Sequence, residues 1–160
     1  MAMDMFLKSA ELPGESKGKG HIGEIDVLAW SWGTSNSGTM HTGGGGGAGK
    51  ANVQDLSITK YIDKATPKLL LASLKGTHFP TMVLIAQKAG GDAQKYIEIT
   101  LTNILITSLS TGGSGGEDRL TENVSLNFEK VKFEYFGQNE KGAVVTAGPA
   151  VWDISANASQ

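Results

Sequence analysis

Two stretches, Tyr96 to Ser110 and Leu120 to Phe136, alternate apolar with polar residues for longer than a flat strand does, and each changes phase partway along. In the second, Val124, Leu126 and Phe128 occupy one parity and Val131, Phe133 and Tyr135 the other. In the first, Ile97, Ile99 and Leu101 give way to Ile104 and Ile106, with Asn103 at the switch. Strand side chains alternate faces, so a run that stays apolar on one face across such a slip carries a strong bend or an extra residue, the latter expected near Glu129 and Lys130. Either device lets one strand serve two sheets or turn a barrel corner. Shorter alternating runs at Met3 to Lys8, Glu24 to Trp32, Asn52 to Ile62, Thr81 to Lys88 and Ala150 to Ser155 make the chain mainly β.

Thr66 to Leu74 breaks the pattern. Thr66 can cap a first helical turn, Pro67 stands where a missing amide hydrogen does no harm, Leu70, Leu71 and Leu74 form one stripe, and Gly76 closes the end. The expected fold is a tight antiparallel β-barrel or sandwich with this one short α-helix packed at its side and a long extended loop. Turn residues fall between the runs at Pro13-Gly14, Gly90-Gly91, Gly112 to Gly116, Asn139 to Gly142 and Gly148-Pro149, and a polar tail, Asn157 to Gln160, ends the chain.

At 160 residues, with no internal repeat, the chain suits a single domain, residues 1–160, large enough to bury roughly 68 to 70 per cent of its unfolded surface. It has no cysteine, so neither disulfides nor thiolate metal sites nor a cysteine nucleophile enter the account. Fourteen basic and 16 acidic side chains leave a net charge of −2 without a basic cluster, which gives phosphate attraction no source and predicts no nucleic-acid partner. Met1 to Leu7 lacks the charged and apolar regions of a secretory signal, and no segment reaches the roughly 18 apolar residues of a membrane span. Cytoplasmic residence without membrane insertion is the expectation.

The long loop, Gly33 to Ala51, contains an unbroken glycine tract, Gly43 to Gly47. Connections of this length inside a compact domain usually have a task or are disordered. Gly44 to Lys50 matches the G-x-x-x-x-G-K core of a phosphate-binding loop, but Ala51 stands where that motif needs Ser or Thr for magnesium. Where the motif needs a helix, Leu56, Ile58 and Ile62 share one strand face and Asp55, Ser57 and Thr59 the other. A flexible loop that wants a partner is the better reading.

Gly112, Ser114 and Gly116 fit the G-x-S-x-G nucleophile elbow of hydrolases. His21, His41 and His78 all precede that serine, however, and a strand follows it where the elbow requires a helix. The histidine spacings put no two imidazoles on one metal, so neither metal nor cofactor is predicted. Glu24 and Asp26 read as the polar side of a half-exposed strand, and Glu117 and Asp118 beside Arg119 as a loop ion pair. Asn123-Val124-Ser125 is a glycosylation sequon left idle without a secretory route. Trp30 and Trp32 present adjacent indoles that suit either a ligand platform or, the favoured reading, packing in a core or interface. No catalytic residue emerges. Two rival classes remain for comparison: a monomeric β-barrel ligand-binding module built on those tryptophans, and a secreted hydrolase built on Ser114.

The run from Glu24 to Gly33, Glu-Ile-Asp-Val-Leu-Ala-Trp-Ser-Trp-Gly, closely resembles the Hcp family, the haemolysin-coregulated tube proteins of bacterial type VI secretion. Further landmarks follow in the family's order: Gly14-Glu15-Ser16, the glycine tract before Lys50, Asp63-Lys64-Ala65-Thr66-Pro67 within Tyr61 to Leu69, Gly76 to Pro80, Lys88 to Gly91, Ser110 to Leu120, and Leu126 to Phe128. The chain departs from the family at Val151, where glycine is common, and in the length of Asn139 to Gly148.

The resemblance implies a homohexameric ring stacked into a tube, driven out by contraction of sheath proteins. It also implies a tip formed by a spike protein of the valine-glycine-repeat family, small effector proteins carried in the lumen, and export without a signal peptide. On that basis Gly33, Ser35, Met40, His41, Gly43, Gly44, Gly45, Gly46, Gly47, Gly49 and Lys50 are expected to contact an adjacent subunit, because backbone without side chains approaches closely. Thr111, Ser114 and Gly115 are expected in a loop at the rim or lumen.

Overall fold

In β5 (Leu56–Tyr61) the alternation becomes burial directly: Leu56, Ile58 and Lys60 point inward while Ser57, Thr59 and Tyr61 lie half-exposed. The same holds along β8 (Thr121–Gln138), where Glu122, Val124, Leu126 and Phe128 are buried before the parity changes and Val131 continues the inner face. The computed structural model describes residues 2–38, 40–41, 48–90, 93–138 and 141–160. The remaining elements in chain order are β1 (Met3–Lys8), β2 (Ile25–Ser31), β3 (Thr34–Gly38), β4 (Ala48–Val53), α1 (Thr66–Lys75), β6 (His78–Lys88), β7 (Gln94–Thr111), β9 (Val144–Thr146), β10 (Ala150–Asp153) and β11 (Ala158–Ser159).

Strands pair antiparallel in the order β8-β5-β2-β1-β6-β7, and β7 returns to pair with β8, which closes a six-stranded barrel. Both β9 and β10 extend from β8, β11 pairs with β10, and β3-β4 form a separate two-stranded sheet. The expected barrel with one short helix is therefore the architecture found. Its core gathers inward residues of all six barrel strands, among them Leu7, Ile25, Leu56, Met82, Ile99, Leu101, Ile104 and Leu126.

The phase switches arise from bending in step. Across β7 and β8 the pairing runs Thr102↔Lys130 and then Ile104↔Phe128, and across β6 and β7 it runs Thr81↔Thr102 and then Phe79↔Ile104, so no residue is inserted at that level. Pro80, Asn103 and Glu129 stand side by side on one line, and burial changes parity across it in all three strands. Asn103 takes φ of 55°, a conformation asparagine tolerates better than most side chains. The extra residue expected near Glu129 and Lys130 is thus replaced by a shared bend. Register shifts do occur elsewhere, between Ile106 and Ser108, between Ala86 and Gln87, and between Val27 and Ala29. The last moves the inner face of β2 from Ile25 and Val27 to Trp30, which pairs with Ile58, and leaves Leu28 outside.

Two other expectations change. Asn52 to Ile62 is not one strand: β4 ends at Val53 and β5 starts at Leu56, in a different sheet. The polar tail also folds back, with Asn157 at φ of 52° turning β11 against Trp152 and Asp153.

The helix begins after Ala65 with no side-chain cap, and Thr66 is its first helical residue. Asp63 supplies the local bond instead, accepting the Ala65 amide at 2.9 Å. At the other end Gly76, at φ of 70°, donates its amide to the Ala72 carbonyl. Leu69 and Ala72 pack into the barrel, whereas the stripe Leu70, Leu71 and Leu74 faces outward, opposite to a helix held by its own apolar stripe.

Beneath the helix start, the Lys60 ammonium is wholly buried, 2.5 Å from Glu122 Oε2 and 3.0 Å from Asp63 Oδ1. It also donates to the Tyr61 carbonyl at 2.8 Å, and the Thr66 hydroxyl donates to Glu122 Oε2 at 2.8 Å. One cation thereby ties β5, β8 and α1 together. Removing one member of a buried pair strands the other, so Lys60→Met is expected to cost about 3–5 kcal/mol in urea unfolding. Adding Glu122→Leu should return most of that loss, and an unchanged midpoint in the single variant would contradict the assignment.

Candidate assembly surface

The segment from Gly33 to Ala51 leaves the barrel as a hairpin. Trp32 Nε1 donates to the Gln54 carbonyl at 2.9 Å and the Gln54 amide donates to the Gly33 carbonyl at 3.0 Å, which pins the hairpin base. From there Thr34 pairs with Val53, Ser35 with Asn52, Asn36 with Ala51 and Gly38 with Ala48, while Asn36 Nδ2 donates to the Gly49 carbonyl at 2.9 Å. Every residue of β3 is exposed. A two-stranded ribbon with this little cover meets the barrel core only through Val53 at its base and leaves the outer edge of β3 open.

Of the residues expected to contact a neighbour, Gly33 lies at this base, Ser35 on β3, Gly49 and Lys50 on β4, and Met40 and His41 exposed between the strands. Gly43, Gly44, Gly45, Gly46 and Gly47 lie outside the described residues. The phosphate-loop match fails structurally too, because β4 continues as strand through Ala51 where a helix would have to start.

Between the hairpin and the C-terminal strands runs a cleft of about 730 Å³. Its walls are largely apolar, formed by Trp32, Val53, Val131, Phe133, Pro149, Val151 and Trp152. The Trp32 ring lies at 6.4 Å and 18° to that of Phe133, and Trp30 and Trp32 both pack against the core, so the packing reading of the two indoles is the one found.

Thr111 ends β7, and Ser114 and Gly115 lie in the fully exposed loop that joins it to β8. That loop sits at the Tyr61↔Thr121 end of β5, whereas the hairpin leaves near the Leu56↔Leu126 end. The two predicted surfaces are thus at opposite ends of one strand and are not brought together. Ser114 has a strand on either side, not the strand-to-helix elbow of a hydrolase. Beside it Arg119 stacks over the Tyr61 ring at 3.7 Å, in place of the expected ion pair with Glu117 or Asp118.

The histidines are dispersed. His21 stacks on Phe6 with its ring nitrogens 2.7 Å from Glu24 Oε2 and 3.0 Å from Gln87 Oε1, His78 meets Asn103, and His41 is exposed on the hairpin. Among the described residues, no three potential metal-ligating side chains group together.

Sequence reasoning missed a polar chain along the bend. His78 Nδ1 donates to Asn103 Oδ1 at 3.0 Å, Asn103 Nδ2 donates to Glu129 Oε2 at 2.9 Å, and the Ser155 hydroxyl lies 3.2 Å from Glu129 Oε1 and 2.7 Å from Asp153 Oδ1. The phase slip at Asn103 was its one visible signal. It missed the buried Lys60–Glu122 pair as well, although both residues fall in phase with the apolar positions of their strands.

With a barrel, a side helix, an uncovered hairpin and polar loops in place, the comparison with known proteins is direct. A profile of the family described as "Type VI secretion system effector, Hcp" matches residues 6–135. The chain belongs to the Hcp family. Protein hcp1 of Pseudomonas aeruginosa is 59% identical over 160 residues, covering 98% of this chain and 98% of that protein. A solved structure described as that of a type six secretion system protein aligns with a TM-score of 0.92 at 32% identity, covering 99% of this chain and 100% of the other. Hcp1 from Salmonella typhimurium aligns at 0.81 and 36% identity, covering 100% of both chains. This Hcp-family chain is thereby a member of the effector and tube proteins of type VI secretion, and no helix among its described residues is long and apolar enough to cross a membrane.

In the C-terminal turn of this Hcp-family protein, the Ser155 hydroxyl and then the Ala156 amide hold the Asp153 carboxyl below the usual carboxylate range. A folded value below the unfolded one means that these bonds support the turn above the unfolded pKa and are lost as pH falls through the folded one. An NMR titration should therefore show the Ala156 amide shifting below the usual carboxylate range, a step that Asp153→Asn removes. A shift centred within the usual range would contradict this.

Proposed function

We propose that this chain is the structural tube subunit of a type VI secretion system, with residues 1–160 as its one domain. Six copies close into a ring, rings stack into a tube, and contraction of the surrounding sheath propels the tube outward behind a spike protein of the valine-glycine-repeat family. Small effector proteins ride in the lumen. The protein works as moving hardware and catalyses nothing; it is assembled in the cytoplasm and leaves the cell by this route, with no membrane insertion and no nucleic-acid partner.

The observation that carries this reading is the hairpin β3-β4, a two-stranded sheet of its own whose first strand is exposed at every position. Isolated ribbons of this kind are marginal alone, so a neighbouring subunit that covers the ribbon and pairs with its edge supplies what the barrel does not. A head-to-tail contact of this type closes into a ring when the rotation per subunit permits. Gly33, Ser35, Met40, His41, the tract Gly43 to Gly47, Gly49 and Lys50 are the proposed subunit contacts. The polar loop carrying Thr111, Ser114 and Gly115, at the far end of β5, is the proposed rim or lumen surface, which releases cargo because it offers no apolar patch to hold it.

One observation favours a second reading, a monomeric ligand-binding module: the apolar cleft of about 730 Å³ beside Trp32. Sedimentation separates the two, since the ring has about six times the 16.8 kDa chain mass.

Deleting Gly43 to Gly49 is expected to leave a folded chain by circular dichroism and to abolish rings or stacks in electron micrographs. Unchanged assembly would remove the hairpin contact from the proposal. Ser114→Trp is expected to leave rings intact while lowering the amount of effector that co-purifies with them, and normal effector levels would take that loop out of the lumen.

A further inference from the structure

The outward side of α1 carries leucines that the barrel does not use. Leu70, Leu71 and Leu74 are 47%, 51% and 74% exposed, and Pro67, on the same side of the helix, is exposed as well. Leu69 and Ala72 on the opposite side are buried, so turning the helix to bury the first set would withdraw the second from the core. Single exposed apolar residues are ordinary, but a contiguous strip along successive turns of one helix is the form of a docking face.

Its flank is positively charged. At 100° per residue, Lys68 and Lys75 fall together along the Leu71 border of the strip, Lys64 precedes the helix, and all three are exposed. The helix TPKLLLASLK contains no acidic residue. The nearby carboxylates are already engaged: Asp63 pairs with Lys60, and Glu15 accepts the Lys64 amide at 3.2 Å. A copy of the same helix therefore brings no carboxylate to these lysines, and packed antiparallel it would set lysine beside lysine.

We propose that the outer face of α1 is a docking surface for an amphipathic helix of a different protein, one that lays an apolar stripe on Leu70, Leu71 and Leu74 and carries Asp or Glu on the flank that meets Lys68 and Lys75. Apolar contact supplies the affinity, and the lysine border sets the register and excludes basic partners. The surface stands apart from the hairpin and does not rest on the tube reading.

The test uses the full chain and two labelled synthetic helical peptides that share a leucine stripe, one with glutamates along its flanks and one with lysines in their place. Fluorescence anisotropy is expected to show the glutamate peptide binding at least about tenfold more tightly, as attraction replaces repulsion at the border, with affinity falling as salt rises. The combined variant Leu70→Ser, Leu71→Ser, Leu74→Ser, which leaves Leu69 and Ala72 in place, should keep the native circular dichroism and lose the binding. Lys68→Glu with Lys75→Glu should reverse the preference between the peptides. No binding, equal binding of the two peptides, or full binding by the serine variant would overturn the proposal. So would a change in the sedimenting size of the serine variant, which would make a second copy of this chain the occupant.

Discussion

Closure of the barrel depends on three neighbouring strands bending at the same level. A sheet that pairs with itself has to coil, and an inserted residue in one strand alone would shift its register against the next and turn every later side chain to the wrong face. Here Pro80, Asn103 and Glu129 bend together, so Phe79, Ile104 and Phe128 stay inside on one side of the line, and Met82, Leu101 and Val131 on the other. Asn103 makes the bend tolerable twice over. It accepts the left-handed backbone conformation, and its amide bridges His78 and Glu129 across the strands on either side. Through Glu129 and Ser155 the same bridge reaches the turn after β10 and anchors the C-terminal strands to the outside of the corner.

The end of the barrel nearest α1 is held by charge instead. Lys60 and Glu122 occupy positions that their strands' alternation assigns to the interior, and each would be costly there alone. Together with Asp63 and Thr66 they form a polar cluster, although Glu122 Oε1 still lacks a hydrogen-bond partner. A hydrophobic pair would fill the same space at less electrostatic cost. What the ion pair adds is direction: the ammonium meets Glu122 on β8 and Asp63 just before α1, and so sets where the helix begins. That placement commits Leu69 and Ala72 to the core and leaves the broader leucine stripe outside.

The legible parts of the fold were those in which one side chain reports one face. The alternation of β8 and the parity change near Glu129 marked the barrel corner from composition alone, and Gly76 marked the helix end. The illegible parts were those in which a pairing partner decided the outcome. Nothing local says that Leu28 is a bulge residue, since its shift exists only relative to Lys60 and Thr59 of β5. Lys60 itself reads as polar until folding brings Glu122, 62 positions further along the chain, opposite it. The leucine stripe was visible, but its direction was set by the smaller face bearing Ala72, which lets the helix approach the barrel closely. The glycine-rich connection read as loop because β3, and β4 up to Ala51, carry serines, glycines and alanines without the apolar alternation that a core selects.

Burial and chemistry therefore divide cleanly in this Hcp-family protein. Its buried Lys60 and Glu122, and the set of half-buried His21 and Glu24 with buried Gln87, bond mainly to one another and to nearby backbone, and brace the barrel. Inside, only Glu24 Oε1 and Glu122 Oε1 among the described residues lack a partner, and the larger uncovered features lie outside: the open edge of β3, the apolar cleft beside Trp32, and the leucines of α1. Exposed edges and apolar strips are hazards for a protein meant to remain alone, and natural sheets usually blunt them with charge or proline. Thr34 to Gly38 carries neither. An unpaired strand edge, an apolar cleft and an apolar helix strip, set on separate parts of one barrel, are surface features of the kind that a second chain can cover, and on these the proposed assembly rests.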